Sequence, residues 1–255
     1  MKSPNLARTI FAGWLLLRVA ACGSSALGQD QRTPVLVELF TSEGCSTCPP
    51  ADAVLAGLDK LQPVAGVQAV VLSEHVDYWN HDGWVDPFSS PLFTKRQEAY
   101  ETQLGVSEPY TPQMIVDGEV ELNGSNAQAA VSAIRKAAAE TRLRVEIVPA
   151  AQGGSVTIEV QPKDALPSGR GAEVYVVLAQ DSGSSDVLQG ENHGHVLRYV
   201  SIAKSLRKVG KVNQKSGWRA ETNVNAPETG QRLIAFVQEP GNSKVLGCAM
   251  YRVTQ

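Results

Sequence analysis

Two cysteines separated by two residues, Cys45-Ser46-Thr47-Cys48, stand between an apolar run and an amphipathic one. The run before them, Val35-Leu36-Val37-Glu38-Leu39-Phe40, is short and β-branched. Pro34 bounds it on one side and Thr41-Ser42-Glu43-Gly44 on the other, so it reads as a buried strand. After the cysteines come Pro49 and Pro50, then Val54, Leu55, Leu58 and Leu61 at helical spacing. The spacing predicts a strand, a turn carrying the cysteine pair, and a helix. A thiol at a helix start is stabilised as thiolate by the helix dipole and by unpaired N–H groups, and the thiolate is the nucleophile. On this reading Cys45 attacks a substrate disulfide and Cys48 resolves the mixed disulfide. A residue before proline is biased away from helical geometry, so Pro49-Pro50 moves the expected helix start past Cys48.

Further along, Val67 to Leu72 predicts a second buried strand running into His75. Asn80 to Pro91 reads as a loop, Leu92 to Leu104 as a helix stopped by Gly105, and Ala127 to Ala139 as an alanine-rich helix. Two short runs around Asp117-Gly118 predict a hairpin. From Leu143 onward the pattern changes to alternation, with short runs punctuated by Gly, Pro, Asn and Asp, which predicts an antiparallel β-sandwich of immunoglobulin-like type. Ala203 to Lys211 fits either a continued strand or a helical turn. The expected organisation is an α/β domain over 33–140 and a β-sandwich over 143–255.

Residues 1–28 carry a basic start at Lys2 and Arg8, an apolar stretch from Ile10 to Leu17, and then small residues, the order of a secretory signal. Val19-Ala20-Ala21-Cys22 has the form of a lipobox, which would leave a lipid anchor on Cys22. Cleavage after Ala26-Leu27-Gly28 is the alternative. The segment holds three of the 23 basic residues and no acid, so its removal makes a chain of net charge −3 more acidic. A pI near 5.9 gives no basic field for nucleic acid. The expected location is the periplasm or the exterior, where a close cysteine pair forms a stable or a cycling disulfide. Cys248, in an apolar run, reads as a buried small hydrophobe.

The strand, turn and C-x-x-C from Val35 to Cys48, followed by Thr111-Pro112 before the hairpin, resemble thioredoxin over roughly 33–140. The resemblance implies that Pro112 is cis, lies against the cysteine pair and offers adjacent backbone to a substrate peptide. It also implies that Glu38, in the buried-looking first strand, accepts a proton from the resolving thiol; the alternative is a side chain that points outward at the strand edge. A closer likeness rests on Leu39-Phe40-Thr41-Ser42-Glu43-Gly44-Cys45-Ser46-Thr47-Cys48-Pro49-Pro50-Ala51-Asp52, on His75-Val76-Asp77-Tyr78-Trp79, and on Gly83-Trp84-Val85-Asp86-Pro87-Phe88. Tyr110-Thr111-Pro112-Gln113-Met114 and Gly190-Glu191-Asn192-His193-Gly194-His195 extend it. These phrases resemble the bacterial secreted family known as domain of unknown function 1223. That likeness implies a thioredoxin-like fold and export, and no activity.

The expected function is exchange with protein thiols or disulfides in the cell envelope, through Cys45, Cys48 and Pro112, with no cofactor. Glu38 and His75 are supporting candidates, His75 as a base or charge partner of Cys45. The alternatives are a non-catalytic peptide- or copper-binding protein and a structural envelope protein with a locked bridge. Copper(I) would be held by Cys45, Cys48 and His75, since thiolate and imidazole suit that ion. Tyr78, Trp79, Trp84 and Phe88 read as loop packing before a peptide-docking surface, and His193 and His195 as a solvated turn before a chelating pair.

Overall fold

The computed structural model describes Met1 and residues 32–81, 83–150, 154–161, 171–212, 218–222 and 226–253. The expected signal segment and Cys22 lie outside the described residues. Strand β1 (Thr33–Thr41) leads into helix α1 (Pro49–Leu61), β2 (Val67–His75) and α2 (Pro91–Leu104). The hairpin β3 (Gln113–Val116) and β4 (Val120–Asn123) follows, then α3 (Ala127–Ala138). The predicted order of elements over this stretch is present, with Asp117 and Gly118 in the left-handed conformations that a tight turn needs. β1 runs parallel to β2 and antiparallel to β3.

The remaining elements are strands: β5 (Arg144–Pro149), β6 (Val156–Gln161), β7 (Ala172–Asp186), β8 (Val196–Val212), β9 (Trp218–Thr222), β10 (Gln231–Gln238) and β11 (Val245–Arg252). Ala203 to Lys211 continues β8, because the whole length of that strand pairs with β7. Eight strands form one sheet in the order β11-β10-β7-β8-β2-β1-β3-β4, and β5, β6 and β9 form a second. The two sequence segments therefore share a sheet. They join where Ser73 of β2 pairs in parallel with Ile202 of β8, and residues 32–255 pack as one compact unit.

β1 is buried on both faces, and its alternate residues enter different cores. Val35, Val37 and Leu39 of β1 pack with Leu55 of α1 and Ile134 of α3. Leu36, on the other face of β1, packs with Phe93 of α2 and with Ile234, Phe236 and Cys248 of β10 and β11. That contact exists because the sheet coils until β11 lies across β1. The small sheet covers the outer half through Val145, Ile158 and Val160, which pack on Val174, Leu233 and Ala235. Cys248 is fully buried, and burial pushes its thiol pKa up to about 12, as expected of an inert cysteine.

Glu38 is buried on the α2 side of β1. Its Oε1 accepts from Arg96 Nε at 2.6 Å and its Oε2 from Tyr100 Oη at 2.5 Å. Glu74 lies 3.7 Å from Arg96 Nε, and burial together with the charge of Glu38 raises its pKa well above the carboxylate range. One guanidinium thus serves two buried acids, which predicts that Arg96→Leu leaves Glu38 as an uncompensated buried charge. The expected loss is about 3–5 kcal/mol of stability, read as a lower midpoint in urea unfolding at pH 7.

Candidate redox site

β1 ends at Thr41, whose carbonyl accepts from Val76 N–H at 3.0 Å. The chain then turns tightly. Ser42 Oγ accepts from Gly44 N–H, and Ser42 carbonyl from Cys45 N–H. Gly44 is required because a Cβ there would stand 2.9 Å from the Cβ and carbonyl oxygen of Trp79. Cys45 and Cys48 form a disulfide with a Cα–Cα distance of 5.4 Å. Cys48 is the N-cap residue of α1, so the helix starts immediately after it. Pro49 and Pro50 remove two of the four free N–H groups of the first turn, and Ala51 and Asp52 donate theirs to Cys48 carbonyl. Stabilisation of a thiolate by the first turn of α1 therefore rests on its dipole.

The Thr111–Pro112 peptide is cis, and Trp79 Nε1 donates to Thr111 Oγ1 at 2.8 Å. Gly124 stands between Pro112 and Ala51 of α1. That glycine donates its N–H to Pro112 carbonyl, and its missing Cβ would lie 3.0 Å from Ala51 and 3.4 Å from Pro112.

His75 stands at the carboxyl end of β2, beside Thr41 in register, fully buried. Its Nδ1–H donates to Asp86 Oδ2 at 2.6 Å, and its Nε2 has no hydrogen-bond partner. The ring packs edge-on against Tyr199 and Phe88 at 4.5 and 5.4 Å. Burial acts to raise the Asp86 pKa. The hydrogen bond and charge of His75, with N–H donors from Glu43 and Phe88, outweigh it and hold the group below its ordinary value.

Glu38 does not join this site. It lies on the opposite face of β1 from α1, held by Arg96 and Tyr100, because strand alternation sends Glu38 one way and Leu39 and Thr41 the other. The acids near the disulfide are Glu43 and Asp52, both passed over in the sequence. Glu43 is buried, and its Oε2 accepts from Trp84 Nε1 at 2.7 Å and Ser185 Oγ at 3.1 Å. Asp52 sits one helical turn beyond Cys48, on the buried stripe of α1 with Ala51, Leu55 and Leu58. A carboxylate within that stripe was the available signal. Burial lifts its pKa to about 7 against the opposing influence of His75 and Thr41, and its Oδ1 has no partner.

The β-rich segment supplies the rest. Asn192 Nδ2 donates to Glu43 carbonyl at 2.9 Å and to Cys45 carbonyl at 3.0 Å, and Glu191 Oε2 accepts from Ser46 N–H at 3.2 Å. His193 and His195 are exposed in a turn closed by their own N–H groups. In the bridged state the two sulfurs offer no thiolate to a metal ion, and His75 has Nδ1 engaged by Asp86. Among the described residues no group of three or more His, Cys, Asp or Glu is placed to hold a metal ion. The aromatic residues pack: Trp84 and Trp79 reach polar partners, Phe88 lies on His75, and Tyr78 lies beside Trp79.

Asp52 binds a proton in the folded state between about pH 4 and 7, where the unfolded chain has released it. Stability from this group is therefore greatest below pH 4 and falls as pH rises towards 7. Asp52→Asn removes the penalty. The variant should match the parent near pH 4 and exceed it by up to roughly 4 kcal/mol at pH 8, measured by urea unfolding at both values.

The family described as "Protein of unknown function (DUF1223)" matches residues 36–238. No curated protein matches the chain. A crystal structure of a protein from Agrobacterium tumefaciens is similar at a TM-score of 0.69 and 25% identity, covering 88% of this chain and 97% of that one. HBP35 of Porphyromonas gingivalis is similar in fold, with a TM-score of 0.55, 14% identity, and coverage of 87% and 76%. With four-fifths of its length matched, the chain belongs to the DUF1223 family of proteins of unknown function.

Proposed function

We propose that this chain is an exported thiol–disulfide oxidoreductase in which a thioredoxin-like unit over 33–140 carries the Cys45–Cys48 pair and the β-rich segment that follows continues its sheet through β8. The observation that supports the reading best is the convergence of three features. A disulfide precedes α1, Gly124 stands between Pro112 and Ala51 in the first turn of that helix, and a buried carboxyl of pKa about 7 sits one turn beyond Cys48. Structural bridges have no use for a buried acid poised near neutrality, whereas exchange consumes and releases thiol protons in that range.

In the forward direction a thiolate from the partner attacks one sulfur of the bridge. The Cys45–Cys48 bond breaks, a mixed disulfide forms, and the electron pair leaves on the other cysteine. We assign Cys45 as the attacked sulfur, because Cys48 is fixed at the helix cap by the bonds from Ala51 and Asp52. A second partner thiolate then releases Cys45, so the partner gains a disulfide and this chain two thiols. The reverse sequence reduces a partner.

A second reading, a locked structural bridge, is favoured by the burial of both sulfurs, Cys45 at 1% and Cys48 at 0% exposure. The reduction potential separates the two. Equilibration in glutathione or dithiothreitol buffers should give a value of roughly −120 to −270 mV for an exchange catalyst, while a value below about −300 mV identifies the structural bridge. For the catalyst, Cys48→Ser should accumulate a mixed disulfide with an oxidised partner, because the Cys45 thiolate breaks the partner's disulfide and no resolving thiol then releases it, and Cys45→Ser should lose exchange altogether, both read by gel shift under non-reducing conditions.

Export rests on residues 1–28. Mass spectrometry of the mature N-terminus is expected to show either a lipidated Cys22 or cleavage after Gly28, and an intact Met1 in envelope fractions would overturn it.

A further inference from the structure

Both sulfurs of the bridge are buried, although Ser46 and Thr47 between them are exposed. A segment from the β-rich half of the chain is tied to the backbone on either side of Cys45. The turn Gly190–Gly194 leaves the ladder between β7 and β8 and returns to it, closed at its base by Val187 N–H to His195 carbonyl at 3.0 Å and Gly194 N–H to Val187 carbonyl at 2.8 Å. Inside the turn, His193 N–H bonds Gly190 carbonyl and His195 N–H bonds Asn192 carbonyl. It is therefore a self-contained unit, with glycines in the left-handed conformation at both ends, φ 78° at Gly190 and 81° at Gly194.

The contacts from this turn to the disulfide loop are few and specific. Asn192, itself buried, spends both amide hydrogens on the carbonyls of Glu43 and Cys45, and Glu191 takes the N–H of Ser46. Each bond goes to backbone or to the loop between the cysteines, and none goes to sulfur. Such a tie holds the loop whether the cysteines are oxidised or reduced.

We propose that Asn192 and the Gly190–Gly194 turn form a displaceable clamp that controls access to the Cys45–Cys48 bridge. Asn192 is a positioning residue. It fixes the Cys45 carbonyl so that the bridge stays shielded, and an attacking thiolate reaches Cys45 only after the turn lifts. A partner that competes for the Glu43 and Cys45 carbonyls, by offering N–H donors of its own, opens the bridge. Small thiols lacking such donors react only in the fraction of time the turn is lifted, and therefore slowly. The inference rests on the exchange reading above, but its test does not depend on that reading.

The test is the second-order rate of reduction of the full-length protein by dithiothreitol, followed by mass shift after alkylation. In that reaction one dithiothreitol thiolate opens the bridge, the second closes on the first, and the protein is left with two thiols beside cyclic oxidised reagent. Asn192→Ala should react at least tenfold faster than the parent. Its equilibrium constant against dithiothreitol should stay within threefold, since the clamp touches no sulfur. Asn192→Asp, which keeps the shape but faces two carbonyl oxygens with carboxylate oxygen, should also react faster. Leu233→Ala, a core change remote from the bridge, serves as a control for general loosening.

Rates within threefold of the parent for both folded Asn192 variants would overturn the clamp. So would an equal acceleration in Leu233→Ala, because the effect would then come from global opening. A reduction potential in the structural range sinks the exchange reading without touching this comparison of rates.

Discussion

Three segments distant in sequence converge on Glu43, and the shape of the site depends on that convergence. Its N–H donates to Asp86 of the loop after β2, its carboxylate accepts from Trp84 and from Ser185 of β7, and its carbonyl accepts from Asn192. A buried carboxylate is costly unless its lone pairs are occupied. Burial and the nearby Asp86 raise the Glu43 pKa, and the Trp84 and Ser185 donors counter them. Each donor is anchored to a different element, so satisfying Glu43 fixes the disulfide loop against the long loop and the β7–β8 end together. Gly44, pressed on Trp79, leaves the next residue no freedom to do otherwise.

β1 separates two polar networks of different character. On the α2 side, Glu38, Arg96, Tyr100 and Gln238 form a hydrogen-bonded cluster around one guanidinium, which ties α2 to β10, with Glu74 3.7 Å from Arg96 Nε and outside the hydrogen bonding. On the α1 side, Asp52, Glu43, His75 and Tyr199 lie together without an arginine, and Glu43 Oε1, Asp52 Oδ1, His75 Nε2 and Tyr199 Oη have no hydrogen-bond partner. The first network is neutralised and reads as architecture. The second keeps Glu43 and Asp52 in a low-dielectric setting near the bridge, where burial raises the pKa of both.

Much of the first 140 residues was legible. The buried strands, the helix after the cysteines and the Asp117-Gly118 hairpin follow from runs whose local pattern and turn residues agree. Candidate residues in regular elements could be named, but not sorted between faces. Glu38 and Leu39 are neighbours in sequence, and only the packing of α1 and α2 on opposite sides of β1 puts Glu38 away from the bridge. Asp52 had a visible sign, a carboxylate in an apolar stripe. Asp86 and Asn192 had none, since an acid or amide in a loop looks the same whether it is buried or solvated.

The sequence by itself determined the local elements and the placement of Cys45 and Cys48 at a helix start, because these depend on periodicity, turn chemistry and proline over a few residues. Tertiary structure decided which distant groups surround the bridge. The pairing of Ser73 with Ile202 joins the two segments into one sheet and brings Tyr199, Ser185 and Asn192 to the disulfide loop, 140 residues or more away. That pairing is set by long-range burial on a coiled sheet, and no local pattern encodes it.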